Sequence, residues 1–204
     1  MKPKLIIATG NAGKAKEFRA LLGQEIEVLT LADFPKIVMP PEDAETFSEN
    51  ALAKAKFVAE TVGLPTLADD SGLVVDALDG APGVRSARYV EGTDQDRYLA
   101  LLDAMKDVAK DRRSARFVCA MAFVAIDGTS KSVEGTCEGH IVETPEGKNG
   151  FGYDPIFRPE GRDSTMATLT MDQKSSISHR GNATKKMLDV LETHFSLELG
   201  LRKL

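Results

Sequence analysis

Phe117 to Ile126 is the stretch that most limits the fold. Phe117, Cys119, Met121 and Phe123 would share one face of a strand, and Val118, Ala120, Ala122 and Val124 the other. Both faces are apolar, so both need cover and the strand belongs in the middle of a sheet. Asp127-Gly128 follows as a hairpin turn, and Ser132 to Val142 returns as the partner strand. Ahead of this hairpin, strands and helices alternate. That order predicts an α/β fold with a mixed β-sheet flanked by helices. The 204 residues suit one sizeable domain, with one lobe or two. No repeat, low-complexity tract or linker divides them, so residues 1–204 read as a single domain.

Lys4 to Thr9 opens with Leu5, Ile6 and Ile7, a buried strand. Thr9-Gly10-Asn11-Ala12-Gly13-Lys14 follows, then a helical segment carrying Ala15, Phe18, Leu21 and Leu22. Strand, glycine-rich turn and helix together suit phosphate: glycines let the backbone approach an anion, and the helix start offers N–H groups. Lys14 adds a full charge. The turn is not a Walker A loop, because its spacing is short and Ala15 stands where Ser or Thr would hold magnesium. A purely structural turn has the same look.

Glu25 to Leu29 reads as a second strand. Residues 32–45 hold Pro35, Pro40 and Pro41 and are mostly irregular; they end in Glu42, Asp43 and Glu45, by themselves an ordinary solvated loop. Thr46 and Glu49 form a capping box. Phe47, Ala51, Val58, Ala59 and Val62 then follow helical spacing until Gly63 and Pro65 stop it. Asn50 and Lys54 are four apart on a more polar face. Such faces are usually only solvated, but this one starts between the acidic loop and the next polar cluster, Asp69-Asp70-Ser71.

That cluster lies between Thr66–Ala68, the end of a short strand, and Leu73–Ala77, a second one. It reads as a polar strand junction: an Asx-type turn, or a site where a cation answers two adjacent carboxylates. Gly80-Ala81-Pro82-Gly83 is a turn, followed by Arg85 and Arg88. Thr93 and Asp96 start a helix with Tyr98, Leu101, Leu102, Met105 and Val108 on its buried side. Residues 109–116 read as a solvated, basic connector. Phe151-Gly152-Tyr153-Asp154-Pro155 offers two rings for stacking a planar ligand and a carboxylate for ring N–H groups, unless it is merely a packed turn. Thr170 and Gln173 suggest another cap, with Lys174 next. Ser178 caps the last helix, whose buried side is Ala183, Met187, Val190 and Leu191. His179 and Arg180 then sit in its first turn, against the helix dipole by a few tenths to ~1 kcal/mol. That cost points to an anion nearby or a role for the pair. His140 and His194 read as structural.

Net charge is −5, which argues against general nucleic-acid binding; an anionic ligand must be held by a local basic cluster. No apolar run is long enough to span a bilayer. The apolar stretch behind Lys2 and Lys4 is too short for a signal-peptide core, so a cytoplasmic protein is expected. Cys119 and Cys137 are too few for a disulfide framework. The Asp127-Gly128 turn could bring their strands together, and buried free thiols are expected. With three histidines a structural zinc site is not expected.

Together the candidates share one chemical theme: a phosphate turn, carboxylates for a divalent cation, an aromatic platform (Phe151, Tyr153) and a basic cluster (Lys174, His179, Arg180). They describe a nucleoside triphosphate site with Mg²⁺, an ion usually held by one or two carboxylates plus substrate phosphates. TGNAGK (9–14), TFSENA (46–51), ADDSGL (68–73), GAPG followed by SAR (80–88), FGYDPIF (151–157) and KSSISHRG (174–181) closely resemble the inosine/xanthosine triphosphate pyrophosphatase family. The resemblance spans nearly the whole chain, in the family's order.

The resemblance implies a long mixed β-sheet flanked by helices, in two lobes with a central nucleotide cleft, and a homodimer. It implies hydrolysis of dITP, ITP and XTP to a nucleoside monophosphate and pyrophosphate. By position, Thr9, Gly10, Asn11, Ala12, Gly13 and Lys14 would hold the triphosphate. Asp70 would be the catalytic carboxylate and a Mg²⁺ ligand, and Ser71 would touch the substrate. Phe151, Gly152, Tyr153, Asp154, Lys174, His179 and Arg180 would surround the base. Two departures stand out. The family's acidic stretch, Glu-Glu-Thr-Gly-x-Thr-Phe, is here Glu42-Asp43-Ala44-Glu45-Thr46-Phe47, one residue shorter and without the glycine. Glu42 is taken as the second metal ligand, with Asp43 and Glu45 as alternatives. Arg85 stands where relatives often carry an aromatic residue. Competing readings are a pyrophosphatase for other modified nucleotides and a non-catalytic nucleotide sensor.

Overall fold

The structure is a computed structural model, and it describes residues 2–9, 15, 18–19 and 26–195. Among the described residues six strands are present: β1 (Lys4–Ile7), β2 (Glu27–Thr30), β3 (Thr66–Val75), β4 (Ser114–Val124), β5 (Ser130–Ile141) and β6 (Phe157–Pro159). The main helices are α1 (Phe47–Val62), α2 (Asp94–Ala104), α3 (Met171–Ile177) and α4 (His179–Phe195). The strands form one sheet in the order β2-β1-β3-β4-β5-β6. β1 runs parallel to β2 and β3, while β5 and β6 are antiparallel. The sheet is therefore mixed, as the order of elements requires. β4 is an interior strand, buried at every residue from Phe117 to Val124.

The chain divides into two compact units, one of Met1–Asp70, Ala120–Gly135 and Ala183–Leu204, the other of Ser71–Cys119 and Thr136–Asn182. In the first, α1 presents Ala51, Ala55 and Ala59, one per turn, to a sheet face carrying Ile6, Ala8, Ala68, Ala120 and Ala122. The helix is well delimited. Thr46 Oγ1 accepts from the Glu49 N–H, and Glu49 returns its carboxylate to the Thr46 N–H and hydroxyl. Gly63 ends it at φ 71°, a left-handed conformation that glycine adopts without strain. The second unit packs Leu73, Leu101, Met105, Phe117, Ile141, Tyr153 and Phe157 together, with the Phe117 and Phe157 rings 4.6 Å apart. No helix among the described residues is long and apolar enough to cross a membrane.

Two local expectations are corrected. Residues 66–75 are one continuous strand, not two strands around a polar turn. Asp69 and Asp70 lie inside β3, only 3% and 8% exposed. Strand alternation sends them to opposite faces, with Asp70 on the side of Ala68. The polar pair interrupted the apolar pattern, although the backbone ladder runs through it. The connector at 109–116 is not simply solvated either, since β4 already begins at Ser114. Arg113 is 4% exposed. Its guanidinium donates to the carbonyls of Ile141 at 2.9 Å and Met105 at 2.8 Å, closing the end of α2. Cys119 and Cys137 are buried free thiols, as expected; burial, aided by the neighbouring Glu138 carboxylate, pushes the Cys137 thiol up to about 11.

Replacing Arg113 with Met strands several buried carbonyls and should cost about 3 kcal/mol. Urea denaturation with an unchanged slope is the measure. A loss below ~1 kcal/mol would show that water satisfies those carbonyls.

Candidate active site

α1 carries the first half of the site. Asn50 and Lys54 fall one turn apart on the helix, beside the alanine stripe, and are 2% and 9% exposed. Packing those alanines against the sheet carries both polar groups to Asp70 on β3. Asn50 Nδ2 donates to Asp70 Oδ2 at 3.1 Å, while its Oδ1 accepts from the Ala44 N–H at 3.1 Å. Lys54 Nζ lies 2.6 Å from Glu42 Oε1 and 3.6 Å from Asp70 Oδ1. Two carboxylates from separate segments thus converge on one nearly buried ammonium. Of the three acidic candidates in the 42–45 loop, Glu42 is half-buried and turned to this point, whereas Asp43 and Glu45 are exposed.

The donor set fits Mg²⁺: hard carboxylate oxygens already gathered around a positive charge, for an ion that usually takes its remaining ligands from water and substrate phosphates. Among the described residues no group of three or more His, Cys, Asp or Glu gathers. Asp69 is turned to the other face of β3, and Ser71, half-buried, shares that face. Thr9 follows β1 and is half-buried. Gly10, Asn11, Ala12, Gly13 and Lys14 lie outside the described residues.

The second unit assembles a different surface. Phe151 is 47% exposed. The Lys174 ammonium lies 4.7 Å and the Arg180 guanidinium 5.7 Å from its ring centroid, both in cation–π range. Asp154, 2% exposed, accepts from the Phe151 N–H at 2.9 Å and forms an ion pair with Lys174. Asp94 Oδ2, at the start of α2, accepts from the Gly152 N–H at 2.7 Å. Gly150 adopts φ 80°, and a side chain there would collide with the Asp154 carboxylate. Ser178 caps α4 by accepting from the Gly181 N–H at 3.1 Å. His179 and Arg180, each 5% exposed, do occupy its first turn, with the His179 ring stacked 4.7 Å from Phe117.

The two-ring platform is corrected to one. Tyr153 is 4% exposed and belongs to the core. Its hydroxyl donates to the Ser86 carbonyl at 2.9 Å, and Ser86 Oγ accepts from the Leu73 N–H at 2.8 Å. Phe151 alone of the pair offers an open ring. The exposed His194 ring lies 4.7 Å edge-on to Phe123. Asn50, Lys54 and Asp94 are contributors that the motif reading left out of the site. The first two had a signal: polar residues four apart, interleaved with alanines that must be buried. Asp94 had none, because its partner is 58 residues away.

Chemically, the first unit can hold a cation with carboxylates, and the second can meet a planar ligand bearing carbonyl and N–H groups. The chain is also similar to known proteins. A model of the Ham1 family matches residues 5–190. A dITP/XTP pyrophosphatase from Streptomyces coelicolor is 46% identical over 193 residues, covering 92% of this chain and 96% of its own length. One from Symbiobacterium thermophilum is 47% identical over 191 residues, covering 92% and 94%. A solved HAM1 protein structure from Coxiella burnetii matches with a TM-score of 0.87 at 39% identity, covering 94% of this chain and 99% of that one.

Burial raises the Tyr153 phenol well above its usual range, outweighing the nearby Arg97 charge. The folded state therefore holds this proton more tightly than the unfolded chain does. The associated stability is complete below the ordinary phenol range near pH ~10 and is lost as pH rises beyond it. Phenolate absorbance of the wild type and Tyr153→Phe should coincide while both stay folded up to pH ~11, and differ only after denaturation. An excess in folded wild type near pH ~10 would mean a solvated phenol.

Proposed function

The chain belongs to the Ham1 family, and from that footing we propose that it hydrolyses non-standard purine nucleoside triphosphates (dITP, ITP and XTP) with Mg²⁺. The products are a nucleoside monophosphate and pyrophosphate, and the role is cleansing of the nucleotide pool. The observation that carries this reading is the convergence of Glu42 and Asp70 on the Lys54 ammonium. In this reading residues 1–204 act as a single enzymatic domain.

Glu42 and Asp70 are the residues that would hold Mg²⁺, which when bound neutralises the polyphosphate and lowers the pKa of attacking water. Asp70 orients that water and accepts its proton as the oxygen adds to the α-phosphorus. The bond from that phosphorus to the pyrophosphate oxygen breaks. Thr9, Gly10, Asn11, Ala12, Gly13 and Lys14 embrace the triphosphate, and Ser71 contacts the substrate. Phe151 stacks on the base. Gly152, Tyr153 and Asp154 shape its edge, Tyr153 through its backbone because its ring is in the core. Lys174 keeps Asp154 and Phe151 in place. His179 and Arg180 donate to the 6-oxo group. Adenine puts an amino group there, so donors would face donors, a mismatch worth about 10⁴-fold in discrimination. The reading includes a homodimer, measurable by light scattering, and a cytoplasmic setting.

Incubation with dITP, XTP, dGTP and dATP in Mg²⁺, with product identification, tests the proposal. Pyrophosphate should be released from dITP and XTP, with little from the others. Release of single phosphate would overturn it. Asp70→Asn should still bind nucleotide but turn over about 10³-fold more slowly. Full activity in that variant would remove Asp70 from the chemistry.

A further inference from the structure

We propose that Asn50 is the positioning residue that sets the placement of the two cation-binding carboxylates, Glu42 and Asp70. The inference rests on the metal reading above and assigns a role to a residue outside the phosphate- and base-binding sets proposed there. Asn50 is 2% exposed, and both ends of its amide are engaged. Nδ2 donates to Asp70 Oδ2 at 3.1 Å, and Oδ1 accepts from the Ala44 N–H at 3.1 Å. An ionised carboxylate only accepts and a backbone N–H only donates, so the amide has one orientation that satisfies both. One side chain therefore fixes an oxygen of Asp70 and the backbone two residues beyond Glu42.

That second bond explains how the altered acidic loop still delivers a ligand. The loop lacks the glycine of the sequence pattern it resembles. Anchored at Ala44, it turns Glu42 inward to Lys54 and leaves Asp43 and Glu45 exposed. Lys54 also links the two carboxylates, but its link is of another kind. An ammonium competes electrostatically with any cation offered to Glu42 Oε1 and Asp70 Oδ1. A neutral amide on Asp70 Oδ2 does not. Asn50 thus keeps the carboxylates in place in the charged state, when Lys54 must share them. Hydrogen-bond partners of metal ligands commonly govern affinity by about 10–100-fold.

The test uses the full chain and two variants, Asn50→Ala and Asn50→Leu; the second keeps the branched outline of the side chain should the first fail to fold. Mn²⁺ is titrated without nucleotide, and free ion is followed by electron paramagnetic resonance. The proposal expects the dissociation constant to rise about 10-fold or more. The Mg²⁺ concentration giving half-maximal dITP turnover should rise by a similar factor, and saturating Mg²⁺ should restore kcat close to wild type. A residue with a merely structural role would lose kcat without rescue by the ion. Mn²⁺ binding in folded variants indistinguishable from wild type overturns the proposal, as does a loss of turnover that Mg²⁺ leaves uncorrected. Wild type that binds no Mn²⁺ and needs no divalent ion would instead overturn the metal reading itself.

Discussion

The structure depends on how it carries a carboxylate inside a sheet. Asp70 occupies an interior strand and is 8% exposed. Removing an ion from water costs several kcal/mol unless hydrogen bonds and opposite charge answer it. Asn50 and Lys54 supply both, from a single helix face. They reach Asp70 because α1 packs through alanines at 51, 55 and 59, whose small side chains place little bulk between helix and sheet. The capping box at Thr46 and Glu49 fixes where the helix begins. It thereby fixes how far the 42–45 loop travels before Ala44 meets Asn50. Apolar packing, local capping and buried electrostatics constrain the same few residues.

The second unit solves another problem, the display of one aromatic ring two residues ahead of the buried pair Tyr153 and Asp154. Phe151 is left open because its neighbours are held from several directions. Asp154 takes the Phe151 N–H, Asp94 takes the Gly152 N–H, and Tyr153 anchors through its hydroxyl to Ser86. Ser86 in turn holds the backbone of Leu73. A turn rich in glycine would otherwise sample many conformations. These bonds, between residues remote in sequence, give it one.

What was legible in the sequence follows the range of the forces involved. The capping boxes at Thr46, Thr93 and Thr170 are settled within three residues and read directly. The two-faced apolar pattern of β4 required an interior position and has one. The unbroken course of β3 was hidden, since Asp69 and Asp70 carry a turn composition and the groups that answer Asp70 come from a neighbouring helix. Arg113 looked solvated for the same reason: its carbonyl partners at Ile141 and Met105 come from elsewhere in the chain. Tyr153 was credited with an exposed ring because adjacency to Phe151 says nothing about which of two rings faces inward. The motif resemblance named Asp70 and the 42–45 loop, but not the helix residues that make them work together.

Charge placement ties the two surfaces to the chemistry of their ligands. Around Glu42 and Asp70 the carboxylates outnumber the single ammonium between them, so that region favours an added cation and, with it, a polyphosphate. Around Phe151 the balance differs. Lys174, over the ring, is matched by Asp154 in an ion pair. The Arg180 guanidinium also lies over the ring, and its planar shape suits directed hydrogen bonding. A neutral base gains little from a strong field and much from donors held in place. Pairing Lys174 with Asp154 removes the field and keeps the positioning. In a chain with a net charge of −5, an anionic ligand has to be met by local arrangements of charge such as these rather than by the overall field.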